Sequence, residues 1–196
     1  FDIITIFPHA FDSYFNESVL KRAQVKKIIQ IHTHNLRDFA RNKHKNVDDR
    51  PYGGGAGMVL MAEPFLRAVE YMSRRPEIRH KRQGVRNEKR KIVVLSAKGK
   101  PFNQKRARDW AKKYNQMILL TGRYEGIDER VVKALRAEEI SLGPYVLTDG
   151  DVAAMVVVSA VARLIPGVIK LESLEEESHW NLLIKKEKSA LGPAGL

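Results

Sequence analysis

Two short, uninterrupted apolar runs set the strongest limit on the fold: KIVVLS at 91–96 and QMILLT at 116–121, with the amphipathic stretch FNQKRARDWAKKY at 102–114 between them. A strand of Val, Ile and Leu without polar alternation has no face to turn to water, so it belongs in a parallel sheet covered on both sides. A parallel neighbour needs a crossover of a dozen or more residues, and the amphipathic stretch supplies it as a helix. The rest of the chain continues the alternation. Residues 2–7 read as a first strand, 12–27 carry a helical pattern and 28–34 alternate like a strand. The polar stretch 37–57 shows no period, and 63–73 reads as a helix with Pro64 suited to its first turn. Residues 127–136 predict a helix, 139–142 a short strand and 150–164 a further helix. The expectation is an α/β domain with a mostly parallel sheet flanked by helices.

At 43% hydrophobic residues over 196 positions, the chain can bury a core and is too apolar for a disordered polymer. One domain is expected over 1–169, with 170–196 a linker. In that tail Glu172, Glu175, Glu176 and Glu177 cluster, followed by Lys185, Lys186 and Lys188 and a Gly/Pro ending. Cysteine is absent, which removes disulfides, thiol nucleophiles and Cys-ligated zinc and fits a reducing cytoplasm. The longest nearly apolar stretch, 152–162, is far shorter than the ~20 residues of a membrane span and closes at Arg163 and Pro166, so no membrane partner is expected. The opening Phe1-Asp2-Ile3-Ile4 has no basic region ahead of an apolar one. It reads as a strand that has lost its initiator Met rather than as a signal peptide.

Lys and Arg number 35 against 23 Asp and Glu, a formal charge of +12 that suits a polyanionic partner. Much of the surplus lies at 74–91, where Arg74, Arg75, Arg79, Lys81, Arg82, Arg86, Lys89, Arg90 and Lys91 are opposed only by Glu77 and Glu88. With Pro76, Gly84 and no apolar period, this segment reads as a loop or arm. Lys21, Arg22, Lys26 and Lys27 form a second basic group. Either group alone is as consistent with solvated surface as with nucleic acid. Together with the motifs that follow, they favour RNA.

Gly53, Gly54, Gly55 and Gly57 supply four of the 13 glycines within the segment VDDRPYGGGAGM. Such a run lets backbone approach a ligand closely, at an entropic cost that a plain turn does not require. A flexible hairpin tip accounts for the glycines but not for the flanking Asp48-Asp49 pair, Arg50 and Tyr52. No Lys-Ser/Thr follows as in a Walker A loop, and no strand precedes as in a dinucleotide fingerprint. A second motif, TGRYEGIDER at 121–130, follows QMILLT at the carboxyl end, where open α/β sheets bind ligands. The third, SLGPYVLTDGD at 141–151, follows the short strand and precedes the apolar helix. Each alone reads equally as a capped turn with exposed ion pairs. Three glycine-bearing loops are more than a fold needs.

In order, VDDRPYGGGAGM, LLTGRYEGIDERV, SLGPYVLTDGDVAAM and RLIPGV resemble the motifs of the TrmD family, bacterial tRNA (guanine-N1)-methyltransferases of the SPOUT class. The resemblance implies a deep C-terminal trefoil knot, which sequence-level physics would not propose because knots are rare. It implies a homodimer with its active site between subunits, S-adenosylmethionine as methyl donor, and tRNA with guanine at position 37, beside the anticodon, as acceptor at N1. Mg2+ is also implied for activity. Carried over residue by residue, the S-adenosylmethionine pocket falls on Leu95 and Ser96, on Gly122, Tyr124 and Glu125, on Ser141, Leu142, Gly143, Pro144, Tyr145, Val146 and Leu147, and on Gly150. The tRNA contacts fall on His44, Asp49, Arg50, Tyr52, Gly55 and Arg123. Where the family has Asp this chain has Pro144, which lacks a backbone donor, and where the family has Gly it has Asp149, which adds bulk and charge. The family's small helical C-terminal domain is expected to be absent from a chain that ends at Leu196.

The chemistry asks for little beyond alignment, since a sulfonium is already an activated leaving group. N1 of guanine carries a proton at neutral pH, and its loss pushes negative charge onto O6. A general base and a cation near O6 are therefore required. The resemblance assigns the cation to Arg163, which by position alone is a helix-terminus cation favoured by the dipole. The family base is an Asp before a Ser. Glu177-Ser178 occupies that place, with Glu175 and Glu176 as alternatives and a solvated linker as the plain reading. Two other functions fit parts of the pattern: a ribose 2′-O-methyltransferase of the same class, and a catalytically weak or idle RNA-binding module that kept the fold.

Overall fold

The two apolar runs lie side by side inside one sheet. In the computed structural model, which describes residues 1–51, 53–74 and 89–170, the strands are β1 (Asp2–Thr5), β2 (His32–Asn35), β3 (Asp48–Asp49), β4 (Val59–Leu60), β5 (Arg90–Pro101), β6 (Gln116–Thr121) and β7 (Glu138–Ser141). Five of them form a sheet in the order β2-β1-β6-β5-β7, and every pairing is parallel. Strand β6 is buried along its whole length, as a run without polar alternation demands. Its side chains divide with period two: Met117 and Leu119 enter one core, Ile118 and Leu120 the other.

The helices are α1 (Asp12–Phe15), α2 (Ser18–Val25), α3 (Ala62–Arg74), α4 (Gln104–Lys113), α5 (Glu129–Leu135) and α6 (Asp151–Ala162). Phe15, Leu20, Trp110 and Val157 cover one face from α1, α2, α4 and α6. Phe65 and Met72 of α3 and Val131 of α5 cover the other. No helix among the described residues is long and apolar enough to cross a membrane.

Several boundaries differ from the sequence expectation, each for a local reason. The helical pattern over 12–27 is two helices, broken where Ser18 takes φ 47°. Phe15 and Leu20 stand five residues apart, about 140° around one continuous helix, and the break lets both reach the same core. The strand expected over 28–34 begins only at His32, because the Ile28 and Ile29 N–H groups still donate to the Ala23 carbonyl at the end of α2. The polar stretch 37–57 contains β3, which pairs antiparallel with β4 just beyond it, and these two-residue strands are too short to show a period. Strand β5 runs on to Pro101, with a register irregularity against β7 between Leu95 and Lys100. Asn103 starts α4 by accepting the Arg106 N–H at 2.9 Å, and Arg136, at φ 48°, ends α5.

The amino-terminal edge of the sheet is tied by polar groups. Buried Asp2 lies 2.9 Å from His34 Nε2 on β2 and accepts at 2.9 Å from Gln116 Nε2 on β6. Arg90 on β5 donates to Gln116 at 2.6 Å and to Ser73 on α3 at 2.7 Å. Burial pushes the Asp2 carboxyl up, but the His34 hydrogen bond, the positive charge of the Phe1 amino group and the Gln116 hydrogen bond together outweigh it and hold it at about 2 rather than 3.8. A carboxylate depressed in the folded state contributes stability that is present above its unfolded pKa and lost as pH falls through the folded one. Asp2→Asn should therefore cost about 2 kcal/mol at neutral pH, and urea titrations should show the gap to the parent closing between about pH 4 and pH 2. A gap that does not change with pH would contradict this account of Asp2.

Candidate functional site

Parallel strands deliver their carboxyl ends to one edge, where connecting loops carry function. A cleft of about 380 Å³ lies there between β5, the loop after β6 and the loop after β7, within the range that accepts a small ligand. Of the residues expected around a cofactor, Leu95, Ser96, Gly122, Tyr124, Glu125, Ser141, Leu142, Tyr145, Val146, Leu147 and Gly150 all line this one cleft. Gly143 and Pro144 do not. A Cβ on Gly143 would collide with the Tyr145 ring, so this glycine serves the cleft by letting Tyr145 fold back, and Pro144 is exposed on the outside of the turn.

A backbone contact holds the two loops together. The Gly150 N–H donates to the Gly122 carbonyl at 2.8 Å. Gly150 has an ordinary φ of −83°, so its need for glycine is spatial: a Cβ there would lie 2.9 Å from the Gly122 nitrogen and 3.0 Å from Thr121 Cα. The glycine-rich segment docks on the same loop from outside. Glu125 N–H donates to the Met58 carbonyl, Leu60 N–H to that of Gly126 and Asp128 N–H to that of Leu60, each at 3.0 Å. Gly57, at φ +89°, leaves room for the Glu125 side chain, which would lie 2.6 Å from a Cβ at that position. Two motifs far apart in sequence thus form one wall.

Charges inside the cleft are largely matched. Lys98 pairs with Glu129 and, at 3.6 Å, with Glu139. Arg123 lies 3.4 Å from Asp149 and stacks over the Phe7 ring at 4.6 Å. Asp149 precedes the glycine at which the two loops touch. Its carboxylate takes the Arg123 pair and accepts the Asp151 N–H at 2.9 Å at the start of α6. Asp151 itself is buried, its Oδ1 lacking a hydrogen-bond partner among the described residues, and burial raises its pKa despite hydrogen bonds from Thr121 and Thr5. Lys98, Ile127, Glu129, Glu139 and Ala153 also line the cleft and were not expected there. Ile127 and Glu129 lie inside the TGRYEGIDER motif, whereas for Glu139 and Lys98 the sequence signal was only their nearness to strand ends. Ala153 could have been read from the first turn of the apolar helix.

Other expected residues lie elsewhere. His44, Asp49, Arg50 and Gly55 are exposed around the β3–β4 hairpin, outside the cleft, whereas Arg123 lines it. Arg163 caps the far end of α6, roughly 18 Å along the helix from Asp151. Tyr52, Glu175, Glu176, Glu177 and the part of the basic arm at 75–88 lie outside the described residues. Among the described residues no three His, Asp or Glu side chains converge as a metal site. A second, more open groove of about 710 Å³ runs between Phe7–Ala10 and the start of α6, and shares Arg123 and Asp149 with the cleft.

A family model described as tRNA (guanine-1)-methyltransferase TrmD matches residues 1–190. A tRNA (guanine-N(1)-)-methyltransferase of Chloroflexus aggregans is 49% identical over 185 residues, 94% of this chain and 68% of the relative. One from Dictyoglomus turgidum is 48% identical over 184 residues, covering 93% and 69%. One from Clostridioides difficile is 43% identical over 186 residues, covering 94% and 76%.

The two kinds of glycine should separate in mutagenesis. Gly150→Ala should lower unfolding free energy by about 1–3 kcal/mol through overpacking against Thr121 and Gly122. Gly54→Ala, at φ +85° with open space around it, should cost about 1–2 kcal/mol from backbone conformation alone. Crystal structures of the two variants should show the loop after β7 displaced only in the first; an undisplaced loop in Gly150→Ala would contradict the spatial argument.

Proposed function

The chain belongs to the TrmD family of tRNA (guanine-1)-methyltransferases, and on that premise we propose that it transfers a methyl group from S-adenosylmethionine to N1 of the guanine at position 37 of tRNA. The observation that carries this reading is the convergence of three strand-end segments on one cleft, closed by the Gly122–Gly150 contact. Leu95, Leu142, Tyr145 and Leu147 offer apolar surface to the faces of an adenine ring, and the loop backbones offer donors and acceptors to its edge. When bound, S-adenosylmethionine supplies a methyl group on a positively charged sulfur. Of the acids lining the cleft, Glu129 and Glu139 share Lys98 and Asp149 pairs with Arg123, which leaves Glu125 to face the cationic end of that ligand.

The N1 lone pair takes the methyl group while the N1 proton passes to a carboxylate. We assign that role to Glu177, with Glu175 and Glu176 as its neighbours in the acidic run. Charge developing on O6 is met by Arg163. One chain holds Arg163 at the opposite end of α6 from the cleft, so the site is completed in a homodimer by the partner subunit's Arg163. An apolar surface supports such pairing: Phe7, Val152 and Val156 are 45%, 50% and 43% exposed beside the second groove. The chain entering α6 passes the loop after β6 backbone to backbone at Gly150, which suits the trefoil knot of the SPOUT class. Residues 1–169 form the catalytic domain and 170–196 the linker in this reading, and its tRNA substrate places the work in the cytoplasm.

Transfer of labelled methyl groups to tRNA transcripts tests the activity. A transcript with guanine at position 37 should yield 1-methylguanosine on nucleoside mass analysis, and one with adenine there should yield none. A ribose-methylated product, or no transfer, would contradict the proposal. Mixing variants tests the shared site: Arg163→Ala and Leu142→Arg should each be inactive, and together should regain activity because the mixed dimer contains one intact site. Failure of the mixture to recover would place Arg163 and the cleft in the same chain.

A further inference from the structure

We propose that the outer face of α4 is a second contact surface for the tRNA, binding backbone phosphates away from the methylated base; this rests on the tRNA methyltransferase reading above. Within its ten residues α4 carries Lys105, Arg106, Arg108, Lys112 and Lys113 against Asp109 alone, a balance of five cations to one anion. Ala107 and Trp110 turn into the core, and the opposite side exposes Lys105, Arg108 and Lys112 at spacings of three and four residues, one continuous stripe. Exposed Lys100, at the end of β5, extends it.

The fold accounts for only part of this charge. Arg106 pairs with Glu138 and lies over the Trp110 ring, and Lys113 lies over Tyr114. The helix dipole favours cations in the last turn, which covers Lys112 and Lys113. It disfavours Lys105 in the first turn, where α4 has no acidic residue. Among the described residues Lys100, Lys105 and Lys112 have no ion pair to offset that charge. Helix α3 is built differently: Glu63 and Glu70 balance Arg67 and Arg74, with Arg74 2.5 Å from Glu70 and Glu63 3.0 Å from Arg41. Helix α4 thus keeps a surplus that α3 does not, and a polyanion outside the chain is the partner whose charge complements it.

Position links the stripe to the site. The Phe102 N–H donates to the Ser141 carbonyl at 2.7 Å, so α4 starts beside the loop after β7 that walls the cleft. From Lys105 to Lys112 the stripe runs roughly 10 Å away from that edge. An RNA seated at the cleft can continue over it without contacting bases.

The test compares the full chain with the triple variant Lys100→Gln, Lys105→Gln, Lys112→Gln, using tRNA transcript as probe. Each lost phosphate contact removes about 0.7–0.9 from the slope of log affinity against log salt. The variant's slope should therefore be shallower by about 2, and its KM for tRNA should rise about tenfold or more near 0.1 M salt. Its kcat at saturating tRNA, S-adenosylmethionine affinity and thermal midpoint should match the parent. The charge-retaining variant Lys105→Arg, Lys112→Arg should keep parent slope and affinity. An unchanged slope in the triple variant would overturn the proposal and leave α4 as solvated surface or the seat of a different, acidic partner. A parent chain that binds tRNA with the expected slope but transfers no methyl group would count against the activity, not against this surface.

Discussion

The hydrogen bond from the Gly150 N–H to the Gly122 carbonyl is the contact on which the candidate site depends. In the sheet β5 lies between β6 and β7, so the loops that leave β6 and β7 are not neighbours by pairing. They meet only by reaching over the end of β5, and the space left beneath them, beside Leu95 and Ser96, is the cleft. Two backbones 2.8 Å apart leave no room for a Cβ on Gly150. The glycine is thus fixed by topology. The same contact sets the start of α6, whose first residue Asp151 is drawn into the protein beneath the loops.

The two edges of the sheet solve opposite problems. At the amino-terminal edge, Asp2, His34, Gln116 and Arg90 satisfy one another, and the strand ends are closed by short hydrogen bonds. At the carboxyl edge the acids are paired across loops instead, Lys98 with Glu129 and Glu139, Arg123 with Asp149. Pairing of that kind neutralises charge without filling space, so the cleft stays open while its walls are held. Arg123 and Asp149 form the partition between the cleft and the second groove, which makes this one ion pair part of both.

Much of the sheet was legible because its strands are simple. An apolar run with no alternation has one place to go, and 116–121 forms β6 with the bounds its composition suggested. The apolar helix and the two strand-end loops followed from the same logic. What the sequence did not disclose depends on contacts between distant segments. The break at Ser18 comes from where Phe15 and Leu20 must both point. Gly57 reads as a flexible tip until Glu125 is seen packed against it. Asp149 reads only as added bulk and charge, and its contacts with Arg123 and the Asp151 N–H are seen only in the structure. Arg163 is adjacent in sequence to the apolar helix, yet the length of that helix carries it away from the cleft, a distance that periodicity does not convey.

The central claim is that three strand-end segments, locked by two glycines, form the seat of the methyl donor. A crystal structure of the full chain with S-adenosylmethionine and tRNA anticodon stem-loop tests it most directly. The account predicts the adenosine between Leu95, Gly122, Leu142 and Tyr145, with its cationic end toward Glu125 and the Gly122–Gly150 hydrogen bond intact. Adenosine seated in the groove between Phe7–Ala10 and α6, or loops parted at Gly150 to admit it, would contradict it.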